Sequence, residues 1–566
     1  MSLNGALQIG RSTLVTSQAA LQVAGDNMAN AATPGFHRRS AHLEPVRGQY
    51  IGQGQFIGRG VSLDAVRREY DTALQARLRN ATGDQRAALI DQRFLTALET
   101  IQNELTDNDL SSLLSAFFNS FSQLANDPDD SAVRSLVVQQ GAALAGRLQD
   151  LRRDYDSVRQ EIDRALGASV EKVNDLLNKI ASINGQIALS ESVGGHENSL
   201  RDQRDLLIDE LAGFLDLTVV EQPNGSVNLL VGSMPVLLAA DVRGVELRRE
   251  TLNGEPIVSL RVKADGSFLT TTTGEIGALM RQREQSVSPV LDDLDGFARQ
   301  LVFQVNRVHS QGQGRVGFGT VEGTYGPLDP AANLNSSQGG LPWRIENGSF
   351  FLHVTDNATG VRTTHRIDVD GDAMSLDDLI DEINVVAGAA GAGVTASRGA
   401  ANQLVLTAAS GASMTFSDDS SGALAALGVN TFFSGSSAAD IDVNPRLVAN
   451  GALLAAGSDH IAGSNGTALA IANLQAKSLD DLEGASLRDF WLNSVNALAV
   501  KADAANLAVE STGLIRDSID AQVQAVSGVS VDEEAINMLT FQRQFQAGAR
   551  FIQTVDELLQ TLLGMV

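Results

Sequence analysis

The chain has 566 residues, more than one hydrophobic core usually organises, so several domains are expected. It carries 68 acidic against 42 basic side chains, and a net charge of −26 argues against non-specific binding to nucleic acid or to anionic membranes. Cysteine is absent, which excludes a disulfide framework and thiolate metal sites. No run is apolar for long enough to span a bilayer, and the N-terminus lacks the basic and apolar regions of a Sec-type signal.

The first predicted element is a helix. Leu3, Leu7, Gly10, Leu14, Ser17, Leu21, Ala24 and Met28 step by alternating fours and threes, which is a heptad seam with small residues where a partner can approach closely. The helix is expected to stop near Asn30, a residue that tolerates a left-handed helix end. Thr33-Pro34-Gly35-Phe36 follows; Pro34 disfavours helix at Thr33, and Pro-Gly suits the centre of a type II turn that Phe36 can anchor. His37 and His42 flank Arg38 and Arg39, and this stretch reads as polar surface.

Residues 64–124 read as mostly helical. A break at Asp127-Pro128-Asp129 precedes a second helical stretch over 131–190. Between 217 and 273, short β-prone runs separated by Asn-Gly and Asp-Gly predict hairpins. Helix resumes over 275–309. The Gly-rich segment 311–326 reads as a flexible linker and the best domain boundary. Beyond it, strands at 350–354 and 403–407 enclose a short helix beginning at Leu376, giving an inserted mixed module that ends near 444. Helix returns over 468–526.

Ser530, three residues before Glu533, fits a capping box that opens a last helix. Its seam is Met538, Phe541, Phe545, Gly548, Ile552, Val555, Leu559, Leu562 and Val566. Each terminal stripe either packs into a local core or pairs with the other, and the second reading is preferred because neither has an obvious sequence neighbour to cover it. The expected fold is mainly α and multi-domain: an elongated helical bundle with β-hairpins, terminal helices paired as an antiparallel coiled coil, and an inserted small α+β module. The expected divisions are 1–35 and 530–566 for the coil, 36–326 and 445–529 for a helical rod domain, and 327–444 for the insert.

Nothing in the sequence demands catalysis. Asp368-Val-Asp370-Gly-Asp372 opens like a calcium loop, but Ala373 and Leu379 stand where that loop needs Gly and Glu, so a solvated acidic turn is expected. Gly312-Gln-Gly314-Arg-Val-Gly317 matches a dinucleotide pattern literally, yet it follows a predicted helix rather than a strand. There is no His-Glu-x-x-His and no Gly-x-Ser-x-Gly. No catalytic residue, cofactor or metal ligand is assigned.

Asp26-Asn-Met-Ala-Asn-Ala-Ala-Thr-Pro-Gly-Phe36 resembles the N-terminal signature of the flagellar rod, hook and hook-associated family, with Asn27, Asn30, Thr33, Pro34, Gly35 and Phe36 as its turn residues. Residues 527–563 resemble that family's C-terminal signature. Arg201-Asp-Gln-Arg-Asp-Leu-Leu-Ile-Asp-Glu-Leu211, residues 274–279, residues 427–436 and residues 440–443 resemble the hook-associated protein 1 branch. The family typically has Tyr and then Ser-Arg-Gln after the Pro-Gly turn, where this chain has Phe36 and His37-Arg38-Arg39.

The resemblance implies a non-enzymatic subunit joining hook to filament, secreted unfolded through the flagellar type III pathway without a cleaved signal. Its implied partners are the hook protein, a second hook-associated junction protein, copies of itself in a helical or ring-like layer, and a cytoplasmic export chaperone at the C-terminal region, with no nucleic acid and no membrane. The expected assembly interface is Leu3, Leu7, Leu14, Leu21 and Met28 against Phe541, Phe545, Ile552, Val555, Leu559 and Leu562. The competing readings are a hook or distal-rod protein, and a secreted adhesin or hydrolase with flagellar-type ends.

Overall fold

The computed structural model describes residues 3–52, 55–104, 109–192, 195–252, 255–388, 393–459, 461 and 463–564. In chain order, α1 (Leu3–Ala29) leads to strands β1 (Arg39–Pro45), β2 (Gln49–Gly52), β3 (Gln55–Ile57) and β4 (Val61–Arg68). Helices α2 (Thr72–Gln102), α3 (Leu110–Asn126), α4 (Ser131–Glu191) and α5 (Asn198–Ala212) follow. Next come β5 (Leu217–Glu221), β6 (Val227–Val231), β7 (Met234–Leu238), β8 (Asp241–Val242), β9 (Val245–Leu252) and β10 (Glu255–Val262), then α6 (Gly274–Gln282) and α7 (Ser288–His309).

The mixed stretch contains β11 (Thr320–Glu322), β12 (Gly348–Asp356), β13 (Arg362–Val369), α8 (Leu376–Ile383), β14 (Val394–Arg398), β15 (Leu404–Ala408) and β16 (Ala412–Ser417). Then come α9 (Ala423–Ala426), β17 (Phe433–Ser434), β18 (Asp442–Val443), α10 (Pro445–Ala449) and α11 (Gly466–Asn473), before the long α12 (Leu487–Ser527) and α13 (Val531–Gly564). Among the described residues no helix is long and apolar enough to cross a membrane.

Chain contacts group the molecule into two units: residues 1–94, 161–283 and 503–566, and residues 95–160 and 284–502. In the first, strands β5 to β8 form an antiparallel sheet in sequence order, and β6 alternates buried and half-buried residues as a one-faced strand should. Val227, Leu229 and Val231 of β6 and Ile208 and Leu211 of α5 are among the buried apolar side chains. In the second unit the core is aromatic. Leu110, Leu114, Phe117, Phe118, Phe121 and Leu124 recur at helical spacing on α3, and Asp109 caps that helix by accepting from the Ser112 N–H. Phe117 and Phe121 meet Phe432 at ring-centroid distances of 5.5 and 5.6 Å.

Three local expectations change. Residues 64–68, expected to open a helix, are strand: β4 pairs antiparallel with β1, with an irregularity at His42/Leu43 that accommodates Asp64. The charges at Asp64, Arg67 and Arg68 also suit a helix face, and only the distant partner strand decides. Second, the glycine-rich segment is packed rather than loose. Its Gln313 N–H donates to the Gly457 carbonyl at 2.7 Å and its Arg315 N–H to Ala452 at 2.8 Å. A Cβ on Gly314 would lie 2.5 Å from the Ala452 oxygen, so glycine serves close backbone approach there. Third, β11 within this segment pairs with β15, and Phe432 and Phe433 lie in the α3 core, so the mixed stretch shares strands and side chains with its flanks.

Candidate assembly site

Helices α1 and α13 pair, and two contacts fix their direction. A Cβ on Gly10 would meet Ile552 Cγ1 at 2.5 Å, and one on Gly548 would meet Thr13 Cγ2 at 3.2 Å and Leu14 Cδ2 at 3.4 Å. Ascending positions on α1 face descending positions on α13, so the pair is antiparallel, and small residues set its closest approach.

The deeply buried positions of α1 are Gly10, Thr16, Ser17, Ala20, Ala24 and Asn27; Leu3, Leu7, Leu14, Leu21 and Met28 are half-buried around them. On α13, Gly548 and Val555 are buried, and Phe541, Ile552 and Leu559 are half-buried. Phe545 is 36% exposed, so this expected seam residue lies at the rim; near the Gly548 crossing the helices are too close for a phenyl ring between them. The side chain of Leu562, and Val566, lie outside the described residues.

The signature turn forms as its chemistry dictates. The Phe36 N–H donates to the Thr33 carbonyl at 3.2 Å, with Gly35 at φ 75°. Asn30 donates to the backbone oxygen and to Oδ1 of Asp26, both at 3.0 Å, and accepts from the Thr33 hydroxyl at 3.3 Å. Pro34 is exposed, and Phe36 lies half-buried beneath the Arg39 guanidinium at 4.8 Å. Asn27, fully buried, donates to the Arg39 carbonyl at 2.8 Å and accepts from the Arg39 N–H at 2.9 Å. One amide thus splices the end of α1 to the start of β1.

Behind the turn lies an ionic clamp that the sequence reading missed. His37 is buried rather than part of a polar surface, with its Nδ1 2.8 Å from Asp202 Oδ1. Arg68 reaches Asp202 at 2.9 Å and Asp205 at 2.8 Å. Arg39 spans Asp26 at 2.8 Å and Asp202 at 3.2 Å, and Arg79 on α2 holds Asp209 at 2.6 Å. Arg38 turns the other way, donating to Glu534 at the start of α13 at 2.8 Å, while its N–H donates to the Ser527 carbonyl at 2.9 Å.

The three carboxylates sit at 202, 205 and 209, a spacing that puts them on one face of α5. That spacing was the available sequence signal; their distant cationic partners were not legible. Burial pushes the Asp202 carboxyl up, but hydrogen bonds from His37 and Arg68 outweigh it and hold the group below the usual carboxylate range. Burial, with the nearby Asp205 charge, pushes the Tyr70 hydroxyl up to about 12.

This geometry is a tied pair of terminal helices held at one end by a buried ionic clamp, and known proteins similar to the chain can be set beside it. The profile of the flagellar hook-associated protein FlgK helical domain matches residues 95–321. That of the flagellin hook IN motif matches 355–410, and that of the flagellar basal body rod FlgEFG protein C-terminal matches 522–565. Flagellar hook-associated protein 1 of Bacillus subtilis (strain 168) is 27% identical, over 99% of this chain and 97% of its own length. The protein of the same name from Escherichia coli (strain K12) is 24% identical over 98% of both. Along nearly its whole length this chain is similar to flagellar hook-associated protein 1. The solved flagellar hook junction protein FlgK from Burkholderia pseudomallei shares the fold, with a TM-score of 0.51 and 16% identity over 80% of this chain and 100% of that one. Members of the hook-associated protein 1 family are structural, non-enzymatic parts of the flagellum outside the cell.

Proposed function

We propose that this chain joins hook to filament, is exported unfolded by the flagellar type III pathway, and is assembled at the distal end of the hook. The observation that carries the reading is similarity to flagellar hook-associated protein 1 along nearly the whole of both chains. The helical-domain match over 95–321 favours this over a hook or distal-rod protein. Its partners are the hook protein, a second hook-associated junction protein, neighbouring copies of itself, and an export chaperone at the C-terminal region. Segments 1–35 and 530–566 form the assembly element. Exposed Val15 on α1 and Ile536, Leu539 and Leu558 on α13 support this, since neighbouring subunits need apolar surface left over after the helices pair.

The test is Leu559→Asp in a deletion strain. The register that sets Gly10 against Ile552 puts Leu559 opposite Leu3. Burying the leucine contributes at most about 1.5–3 kcal/mol, and an unpaired carboxylate in its place costs several more. Export continues, but the cells shed filament protein into the medium and do not swim. If the mutant builds motile filaments normally, the terminal seam is not the assembly interface.

A further inference from the structure

A cavity of 620 Å³ opens beside the clamp, between α2, α5 and the β5–β6 edge of the first unit. Its size is that of a small-molecule site. In a chain of net charge −26, its lining is cationic: Arg67, Arg68, Arg79, Arg201 and Arg204 against two carboxylates, Asp205 and Glu221. Leu217, Val219 and Val227 supply an apolar wall.

The carboxylates around its floor are shared unevenly among the guanidinium groups. Asp205 lies 2.8 Å from Arg68, 3.7 Å from Arg79 and 4.0 Å from Arg204, so one carboxylate serves three guanidinium groups. Arg68 and Arg79 have second carboxylates in Asp202 and Asp209. Arg204 does not. It is 2% exposed, and its hydrogen bonds go to neutral acceptors, the Gly225 carbonyl at 2.6 Å and Asn184 Oδ1 at 3.3 Å. Its Nε, like Nη2 of Arg79, is buried without a hydrogen-bond acceptor. Burial, the largest influence, pulls the Arg204 pKa below its ordinary value despite Asp205. A buried guanidinium short of an anion is costly, and an oxyanion close by relieves it.

We propose that this cavity binds a small organic acid, its carboxylate or phosphate group held among Arg68, Arg79 and Arg204 and its apolar body lying on Leu217, Val219 and Val227. Arginine suits both anions because its planar fork bonds two oxygens at once. The occupant ties together α2, α5 and β4, which carry the clamp, and so stiffens the base to which the terminal helices are attached.

The full-length chain is titrated calorimetrically at low ionic strength with benzoate, with phenyl phosphate, and with phenol as the uncharged control. At least one acid saturates a single site and phenol does not; whichever acid binds tells carboxylate from phosphate. Arg204→Gln weakens that binding tenfold or more. Ala76→Phe, which fills the cavity from the exposed face of α2 and keeps every guanidinium, does the same and decides the matter if Arg204→Gln does not fold. The proposal is overturned if neither acid binds saturably, or if binding is unchanged in Ala76→Phe.

Discussion

Asp202 and His309 are buried polar groups settled in opposite ways, one by charge and one by neutrality. Asp202 accepts from His37, Arg39 and Arg68, so removing its charge leaves buried cations short of an anion. Asp202→Asn is expected to cost about 3–5 kcal/mol in denaturant unfolding of the whole chain. A change under about 1 kcal/mol would mean that the clamp behaves like exposed ion pairs.

His309, completely buried in the second unit, uses both ring nitrogens. Nδ1 lies 2.8 Å from the Asn430 carbonyl, to which it donates, and Nε2 accepts from the Ala455 N–H at 3.0 Å. That pattern needs the neutral ring, and burial lowers its pKa to about 4. The unfolded chain binds a proton near pH 6.5 and the folded chain only near pH 4. Stability therefore falls as pH drops through that interval, by about 3 kcal/mol in all. Asp202, held below the usual carboxylate range, adds its loss only at lower pH, as its folded form is protonated. Unfolding free energy measured against pH in wild type and His309→Gln separates the two, since the variant loses the upper slope alone.

Among the elements, the terminal pair is the most directly testable. The chain has no cysteine, so an introduced pair has no competitor. The Cβ built on Gly548 lies 3.4 Å from Thr13 Cβ, near the lower end of the roughly 3.5–4.5 Å that a disulfide spans. Thr13→Cys with Gly548→Cys is expected to form an intramolecular disulfide on mild oxidation, seen as faster migration on a non-reducing gel. Failure to close, or closure only between chains, would show that α1 and α13 of one chain do not pair in this register.

For the whole molecule, the consequence lies in how each unit is assembled from distant pieces of chain. The core of the second unit joins α3 to residues more than three hundred positions later, through Phe117, Phe121, Phe432 and Phe433. Deleting 327–444 therefore removes two core aromatics along with the strands β12 to β16. Losing a single buried Phe costs about 3–5 kcal/mol, comparable with much of the stability of an ordinary domain. The deletion is expected to abolish cooperative unfolding of this unit, read by calorimetry. A deletion product in which the rest of this unit still unfolds cooperatively would show that the segment folds by itself.

The sequence by itself determined the features that depend on neighbours a few residues apart. The 3.5-residue spacing of apolar and small residues marked the terminal helices, Pro34-Gly35 marked the turn, and Asn-Gly and Asp-Gly marked the hairpins between 217 and 273. The paired end signatures marked the family. These rest on local sterics and on periodicity, which the chain carries wherever it goes. Tertiary structure decided whatever needed a partner remote in sequence. Residues 61–68 became a strand because residues 39–45 lie beside them. His37 became a buried ligand of Asp202 because α5 brings a carboxylate to it, 165 positions away. Gly314 became a packing residue because the Ala452 backbone comes against it. A buried charge or a close backbone approach is stable only with its complement in place, and that complement is specified by the fold, not by the neighbouring residues.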